Sequence, residues 1–206
     1  MQVITADELA AAIAALESGL VVAVPTDTVY GLAARLSTEG VAALFSLKAR
    51  STERAVPVIV GSLEQARAVA ADWPESADLL ARHFWPGALT LVVPASAVIG
   101  GLVGGSGDTV GVRWPRHGVL GALCAALGPL AVTSANRHGV PPATTLNELG
   151  TAFPVDAGPA LAVDGGLCDG IPSTVVDCTV EPARCLRDGG VPWRDIDAVL
   201  SDAGGR

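Results

Sequence analysis

Lys48 is the single lysine among the 13 basic residues of this chain, and it stands in the stretch SLKARS, two positions before Arg50. Arg54 follows shortly after. Three cations this close together form a local anion site, suited to phosphate or carboxylate. The same residues at a helix C-terminus are also favoured by the helix dipole with no ligand at all. Elsewhere, apolar runs repeatedly empty into small polar residues. PTDTVYGL, 25–32, crowds Thr26, Asp27, Thr28 and Tyr30, the chain's one tyrosine, behind the run LVVAV. PLAVTSAN, 129–136, ends on Ser134 and Asn136, and IPSTVVD, 171–177, sets Ser173 and Thr174 before a new run. Arg113 closes TVGVR and Arg187 sits in CLRDGG. Strand ends in α/β sheets are where ligands usually bind, so these hydroxyls, amides and guanidiniums are candidate site groups. The competing local reading of 25–32 is a turn held by Asx and hydroxyl hydrogen bonds.

Several standard chemistries are missing. A Walker A loop needs a glycine-rich run before its lysine, and no glycine stands near Lys48; the stretch 100–107 does not fit GxGxxG either. There is no GxSxG nucleophile turn. His83, His117 and His138 are scattered and read as structural or surface groups, with His117 kept in view because it follows Arg113 and Pro115 at a strand exit. Cys124, Cys168, Cys178 and Cys185 form no CxxC pair and have no histidine at ligand spacing. They read as buried thiols rather than a zinc site or a disulfide framework.

Composition bounds the rest. The chain has 206 residues, half of them hydrophobic, enough for one domain with a large core. A formal net charge of -8 argues against a general electrostatic grip on nucleic acid. The N-terminus has no basic region before its apolar stretch, and no apolar run approaches the ~20 residues that span a bilayer. A cytoplasmic protein with no membrane partner is expected.

The elements that must position the candidate residues follow from pattern. TADE at 5–8 is a capping box, predicting a helix to about Ser18. Strands are predicted at 20–26, 55–61, 88–95, 109–115 and 129–136, with helices at 38–50, from Ser62, at 74–84 and at 117–128. The stretch IGGLVGGSGD reads as a flexible connector. The segment 137–160 reads as loop with one short helix near Leu146, and as a candidate lid. Three further strands are expected near ALAVDGG, STVVDCT and ARCLRDG, and a frayed tail from about residue 200. Early alternation and late strands predict an α/β (α+β) fold, a twisted mixed β-sheet flanked by helices, in one domain over 1–206.

Taken in order, PTDTVYGL, KAR, FWPGALTLV, TVGVRWPRH, TSAN, PSTVVD and CLRDGG resemble the YrdC-like threonylcarbamoyl-AMP synthases, from about residue 5 to about residue 195. The resemblance is to the form with a single domain. It implies a concave substrate cleft and the condensation of L-threonine, bicarbonate or CO2, and ATP to threonylcarbamoyl-AMP and pyrophosphate. The product then goes to a tRNA threonylcarbamoyl transferase complex, so tRNA contact is expected to be indirect. The family signature places Lys48 and Arg50 on the triphosphate, with Ser134 and Asn136 bonding phosphate or positioning magnesium. Ser173 and Arg187 are implied to face the nucleotide. Thr26, Thr28 and Tyr30 are implied to line the threonine pocket, with Arg113 for its carboxylate. Magnesium is expected on the ATP phosphates, with no metal site of the protein's own. One departure is visible: Arg54 is followed by Ala55 and Val56, where the family often has proline and leucine. Two other readings share the fold, a YciO-like paralogue with another carbamoyl substrate and an RNA-binding module. The acidic balance and the lack of interleaved aromatics weigh against RNA.

Overall fold

The computed structural model describes residues 1–49, 51–137, 139–153 and 158–204; Arg50 and His138 lie outside the described residues. The chain opens with β1 (Gln2–Ile4), a strand the sequence reading did not anticipate. The TADE box holds as expected: the Glu8 carboxylate accepts from the Thr5 amide at 2.9 Å and from its hydroxyl at 3.0 Å. A 3-10 turn over Ala6–Glu8 then leads into α1 (Leu9–Glu17). There follow β2 (Val22–Val24), β3 (Gly31–Arg35), α2 (Thr38–Lys48), β4 (Val58–Ile59), α3 (Leu63–Val69) and α4 (Glu75–Phe84). Next come β5 (Leu89–Pro94), α5 (Ala97–Val103), β6 (Thr109–Arg113), α6 (Gly118–Leu127), β7 (Leu130–Ser134) and α7 (Leu146–Ala152). β8 (Leu161–Val163), β9 (Thr174–Asp177), β10 (Arg184–Arg187) and α8 (Trp193–Gly204) complete the order.

Two expectations fail here. The predicted tail from about residue 200 is instead the end of α8, which runs to Gly204 and buries Ile196 completely. The predicted flexible connector is instead α5 and a tight turn after it. Its glycines serve close approach rather than mobility: a Cβ on Gly100 would lie 1.9 Å from the Gly107 carbonyl oxygen. Gly104, Gly105 and Gly107 all have φ between 74° and 81°, a region that favours glycine. Gly100→Ala is therefore expected to destabilise the protein by about 1–3 kcal/mol, the usual range for overpacking. Urea unfolding would show it as a lower midpoint at unchanged slope.

The ten strands form one mixed sheet in the order β1-β8-β2-β3-β7-β4-β6-β5-β9-β10. Strand pairing aligns Ala34, Ala131, Val58, Val112, Leu91 and Val176 in one row across the sheet. Side chains alternate faces along a strand, so this row marks one face. Helices cover it from end to end. Val41 and Leu44 of α2 and Leu149 of α7 pack beside Ala34 and Ala131. Ala66 of α3, Leu80 of α4, Val103 of α5 and Ile196 of α8 pack on Val58, Val112, Leu91 and Val176.

The opposite face is covered differently. Leu16 of α1 and Leu120 and Leu123 of α6 pack on Val22, Ala33, Val132, Leu130 and Ile59. No residue of β5, β6, β9 or β10 joins that core. Past β4, this face therefore lacks the cover of α1 and α6. Arg113, paired with Ile59, stands where the cover ends. Thr90 pairs with Val175, and Val175 with Arg187, so these two carry the same face toward the sheet edge. The fold leaves half of one sheet face for chemistry.

Candidate active site

Lys48 is aimed by its helix. Ser37 caps α2, accepting from the Gly40 amide at 3.2 Å, and Val41 and Leu44 bury the face that also carries Lys48. The helix ends at Lys48 because Ala49 turns left-handed, with φ 47°. The ammonium reaches β7 and the turn after it. Its three hydrogens are shared among four acceptors, Thr133 Oγ1, Ser134 Oγ and Asn136 Oδ1, each at 3.0 Å, and the Ser134 carbonyl at 2.5 Å. The Ser134 hydroxyl donates to Asn136 Oδ1 at 2.7 Å, and Asn136 Nδ2 donates to the carbonyls of Arg137 and Val140 at 3.1 and 2.6 Å. The expected association of Lys48, Ser134 and Asn136 is thus a single hydrogen-bonded cluster. Arg50, expected beside it, lies outside the described residues.

Arg113 lies nearly buried, its side chain 8% exposed, and all three of its nitrogens are engaged. Nε donates to the Gly87 carbonyl at 3.0 Å and Nη1 to Thr28 Oγ1 at 2.9 Å, while Nη2 pairs with the Asp27 carboxylate. Asp27 also accepts from the Arg116 amide at 3.1 Å. Burial lowers the Arg113 pKa, Asp27 opposes that, and nearby Arg187 adds to it. Guanidinium carries five N–H donors, so hydrogen remains for a further acceptor.

Thr26 is spent locally. Its hydroxyl donates to the Val29 carbonyl at 2.7 Å, accepts from the amides of Thr28 and Val29, and meets the Thr28 hydroxyl at 2.9 Å. The hydroxyl turn expected over 25–32 is therefore present, while the Asp27 carboxylate is engaged by Arg113 and the Arg116 amide. Tyr30 is fully buried, and its hydroxyl donates to the Gly166 carbonyl and accepts from the Gly165 amide, each at 3.1 Å. At the far end, Ser173 Oγ lies 2.8 Å from Thr90 Oγ1. Arg187 donates to the Ser173 carbonyl at 3.0 and 2.8 Å and to its hydroxyl at 3.2 Å. Burial also lowers the Arg187 pKa.

These groups converge. A cavity of about 260 Å³ is lined by Thr26, Thr28, Tyr30, Arg113, Ser134, Ser173 and Arg187 from among the expected residues. Lys48 and Asn136 adjoin it through Thr133 and Ser134. Pro57, Ile59 and Val132 supply apolar wall, and Pro142 separates this cavity from a second one of about 730 Å³ built on 137–152. Among the polar groups, sequence reasoning left out Thr133, Thr90 and Asp27. Thr90 showed itself as a hydroxyl between the buried Leu89 and Leu91. Asp27 was read only as a turn residue, and nothing local paired it with Arg113.

The remaining reactive groups stand apart. Burial pushes the thiols of Cys124 and Cys178 up to about 12, leaving them poor nucleophiles. His117 does not line the cavity; burial lowers its pKa against the pull of Asp27, which favours the neutral ring. What the arrangement offers is fixed positive charge and hydrogen-bond donors around a small, partly apolar chamber.

Comparison with known proteins places this geometry in context. The Sua5_yciO_yrdC family, described as telomere recombination, matches residues 14–189. A threonylcarbamoyl-AMP synthase of Pyrococcus abyssi is 37% identical over 190 residues, covering 91% of this chain and 55% of that protein. One from Chromohalobacter salexigens is 35% identical over 181 residues, covering 84% of this chain and 94% of that protein. The crystal structure of P. abyssi Sua5 complexed with L-threonine superposes with a TM-score of 0.91 at 35% identity, covering 97% of this chain and 61% of that one. The chain thus spans little more than half of the P. abyssi protein and nearly all of the C. salexigens protein.

Proposed function

The chain belongs to the Sua5_yciO_yrdC family, and on that premise we propose that it is an L-threonylcarbamoyladenylate synthase. In this reading it is a nucleotidyltransferase that condenses L-threonine, bicarbonate or CO2, and ATP to threonylcarbamoyl-AMP and pyrophosphate. The observation that carries the reading is the convergence of Arg113 and Arg187 on one cavity, with Lys48 adjoining it through Thr133 and Ser134, in a chain of net charge -8.

Volume divides the substrates. At about 260 Å³ the inner cavity falls below the ~300–1,000 Å³ of clefts for drug-sized ligands and suits an amino acid. Threonine occupies it, its carboxylate on Arg113. ATP needs more room, and the cavity of about 730 Å³ across Pro142 supplies it for the nucleoside. The triphosphate then crosses the Ser134–Asn136 turn, where Lys48 meets it, with Ser173 and Arg187 on the other flank; the family signature assigns Arg50 to the same phosphates. Magnesium arrives with ATP and neutralises phosphate charge. The oxygen donors of Ser134 and Asn136 are the hard ligands that suit it, and no cluster of His, Cys, Asp or Glu among the described residues offers a resident site.

The chemistry sets the demand on these residues. The neutral threonine amine adds CO2 to form a carbamate, losing a proton. A carbamate oxygen attacks the α-phosphorus, and pyrophosphate leaves with the electron pair of the broken bond. Attacker and target are both anionic, so fixed cations must offset their repulsion at the moment of approach. Positioning and electrostatics carry the step, with no protein nucleophile. The product passes to a tRNA threonylcarbamoyl transferase complex, and the acidic chain itself has little attraction for tRNA.

The test is pyrophosphate release from MgATP with and without L-threonine and bicarbonate, with the adenylate identified by mass spectrometry. Release requiring both co-substrates is expected. Release independent of threonine, or none from folded protein, overturns the reading.

A further inference from the structure

We propose that Thr174 is the positioning residue for Arg187: it locks the turn after β10 onto the start of β9 and so aims the guanidinium at the nucleotide. The inference rests on the synthase reading above, in which Arg187 meets ATP. Side chains alternate faces along a strand. Ser173 lines the inner cavity, whereas its neighbour Thr174 is fully buried and does not. The Thr174 hydroxyl reaches instead to the turn that follows Arg187. It donates to the Val191 carbonyl at 2.5 Å and accepts from the Val191 amide at 3.1 Å.

Arg187 needs such a lock. Its strand, β10, is the last of the sheet, four residues long, with a register shift between Cys185 and Arg187. An edge strand has a ladder partner on one side only, so pairing alone holds its end weakly. Three consecutive residues of the neighbouring segment make up the difference. The Pro172 carbonyl accepts from the Gly190 amide at 2.9 Å, the Ser173 carbonyl accepts from the Arg187 guanidinium, and Thr174 holds Val191. The two segments meet backbone to backbone: a Cβ on Gly189 would lie 2.3 Å from the Pro172 carbonyl oxygen and 2.7 Å from the Thr174 nitrogen. Asp188 Oδ1 accepts from the Trp193 amide at 3.0 Å, which ties the same turn to α8. With Nε and Nη2 of Arg187 bonded to Ser173, Nη1 is left for a ligand. Misplacing such a group by about 1 Å costs up to about 100-fold in rate.

The experiment measures kcat/KM for ATP by pyrophosphate release, and affinity for ATP and for L-threonine by calorimetry. The proteins are wild type, Thr174→Val, Thr174→Ser, Arg187→Ala and the double variant Thr174→Val/Arg187→Ala. Valine keeps the volume and removes both bonds to Val191; it is expected to lower kcat/KM for ATP by about 10–100-fold, with threonine affinity unchanged. Serine keeps the hydroxyl and should restore most of the loss. In the Arg187→Ala background the valine should add little, because the group it positions is already gone. A role in stability alone would lower the urea midpoint and leave the kinetics of the folded protein as they were. Should the valine variant not fold with the Val191 groups unpaired, Thr174→Ala takes its place, since it admits a water to meet them but removes the tether. Unchanged ATP kinetics in a folded variant, additive losses in the double variant, or a loss that falls on threonine instead overturns the inference alone. A wild type that releases no pyrophosphate with threonine and bicarbonate sinks the synthase reading, and this inference with it.

Discussion

Lys48→Ala is expected to lower kcat for threonine-dependent pyrophosphate release by at least about 10²–10³-fold, the loss seen when one fixed donor to a developing anion is removed. The fold should survive. The ammonium is only part-buried, and its acceptors on Thr133, Ser134 and Asn136 can turn to water once it is gone. Circular dichroism and the urea midpoint should stay close to wild type. Lys48→Arg makes the sharper comparison because charge is conserved. Three acceptors at 3.0 Å and a carbonyl at 2.5 Å surround one nitrogen, a nest sized for a compact ammonium and not for a planar fork. The arginine variant should therefore lose most of the activity too. Substantial turnover by the alanine variant would remove Lys48 from the chemistry, and substantial turnover by the arginine variant would show that charge alone suffices.

Eight of the ten strands and most of the helices were legible because apolar runs and periodic faces are local properties; β1 and β3 were not anticipated. What escaped the sequence reading depended on distant partners. The glycines of 100–107 read as a loop because nothing near them reveals that Gly100 must pass within contact of the Gly107 carbonyl. α8 was missed although Trp193, Ile196 and Leu200 recur at helical spacing and pack on the core, since the polar residues between them and the terminal glycines dominate the stretch. Thr26 and Tyr30 do line the inner cavity. Their hydroxyls, however, are committed to Val29, Gly165 and Gly166, which only the folded chain reveals. Asp27 is the clearest case. A carboxylate in a turn has a sufficient local explanation, and its partner stands 86 residues away in sequence.

That pairing makes Arg113 the site of the second large effect. Arg113→Met is expected to raise the KM for threonine by at least about 10²-fold, the scale of losing a charged hydrogen-bonded partner worth about 3 kcal/mol. KM for ATP should change far less. The same substitution should destabilise the protein by about 3–5 kcal/mol, the scale for breaking a buried pair from one side. With side-chain exposures of 8% and 16%, neither Arg113 nor Asp27 can rely on solvent to replace the other. The two losses have different causes, and a second substitution separates them. In Asp27→Asn/Arg113→Met no charge is left uncompensated, so most of the stability should return. Threonine binding should not, because the guanidinium that meets its carboxylate is still missing. Asp27→Asn alone should lose stability yet keep threonine-dependent turnover, since Arg113 retains its bonds to Thr28 and Gly87. Urea denaturation and steady-state kinetics on the four proteins check each arm. Recovery of threonine KM in the double variant would assign the carboxylate to another group. Arg187 is the remaining candidate, because it is the other guanidinium lining the same cavity.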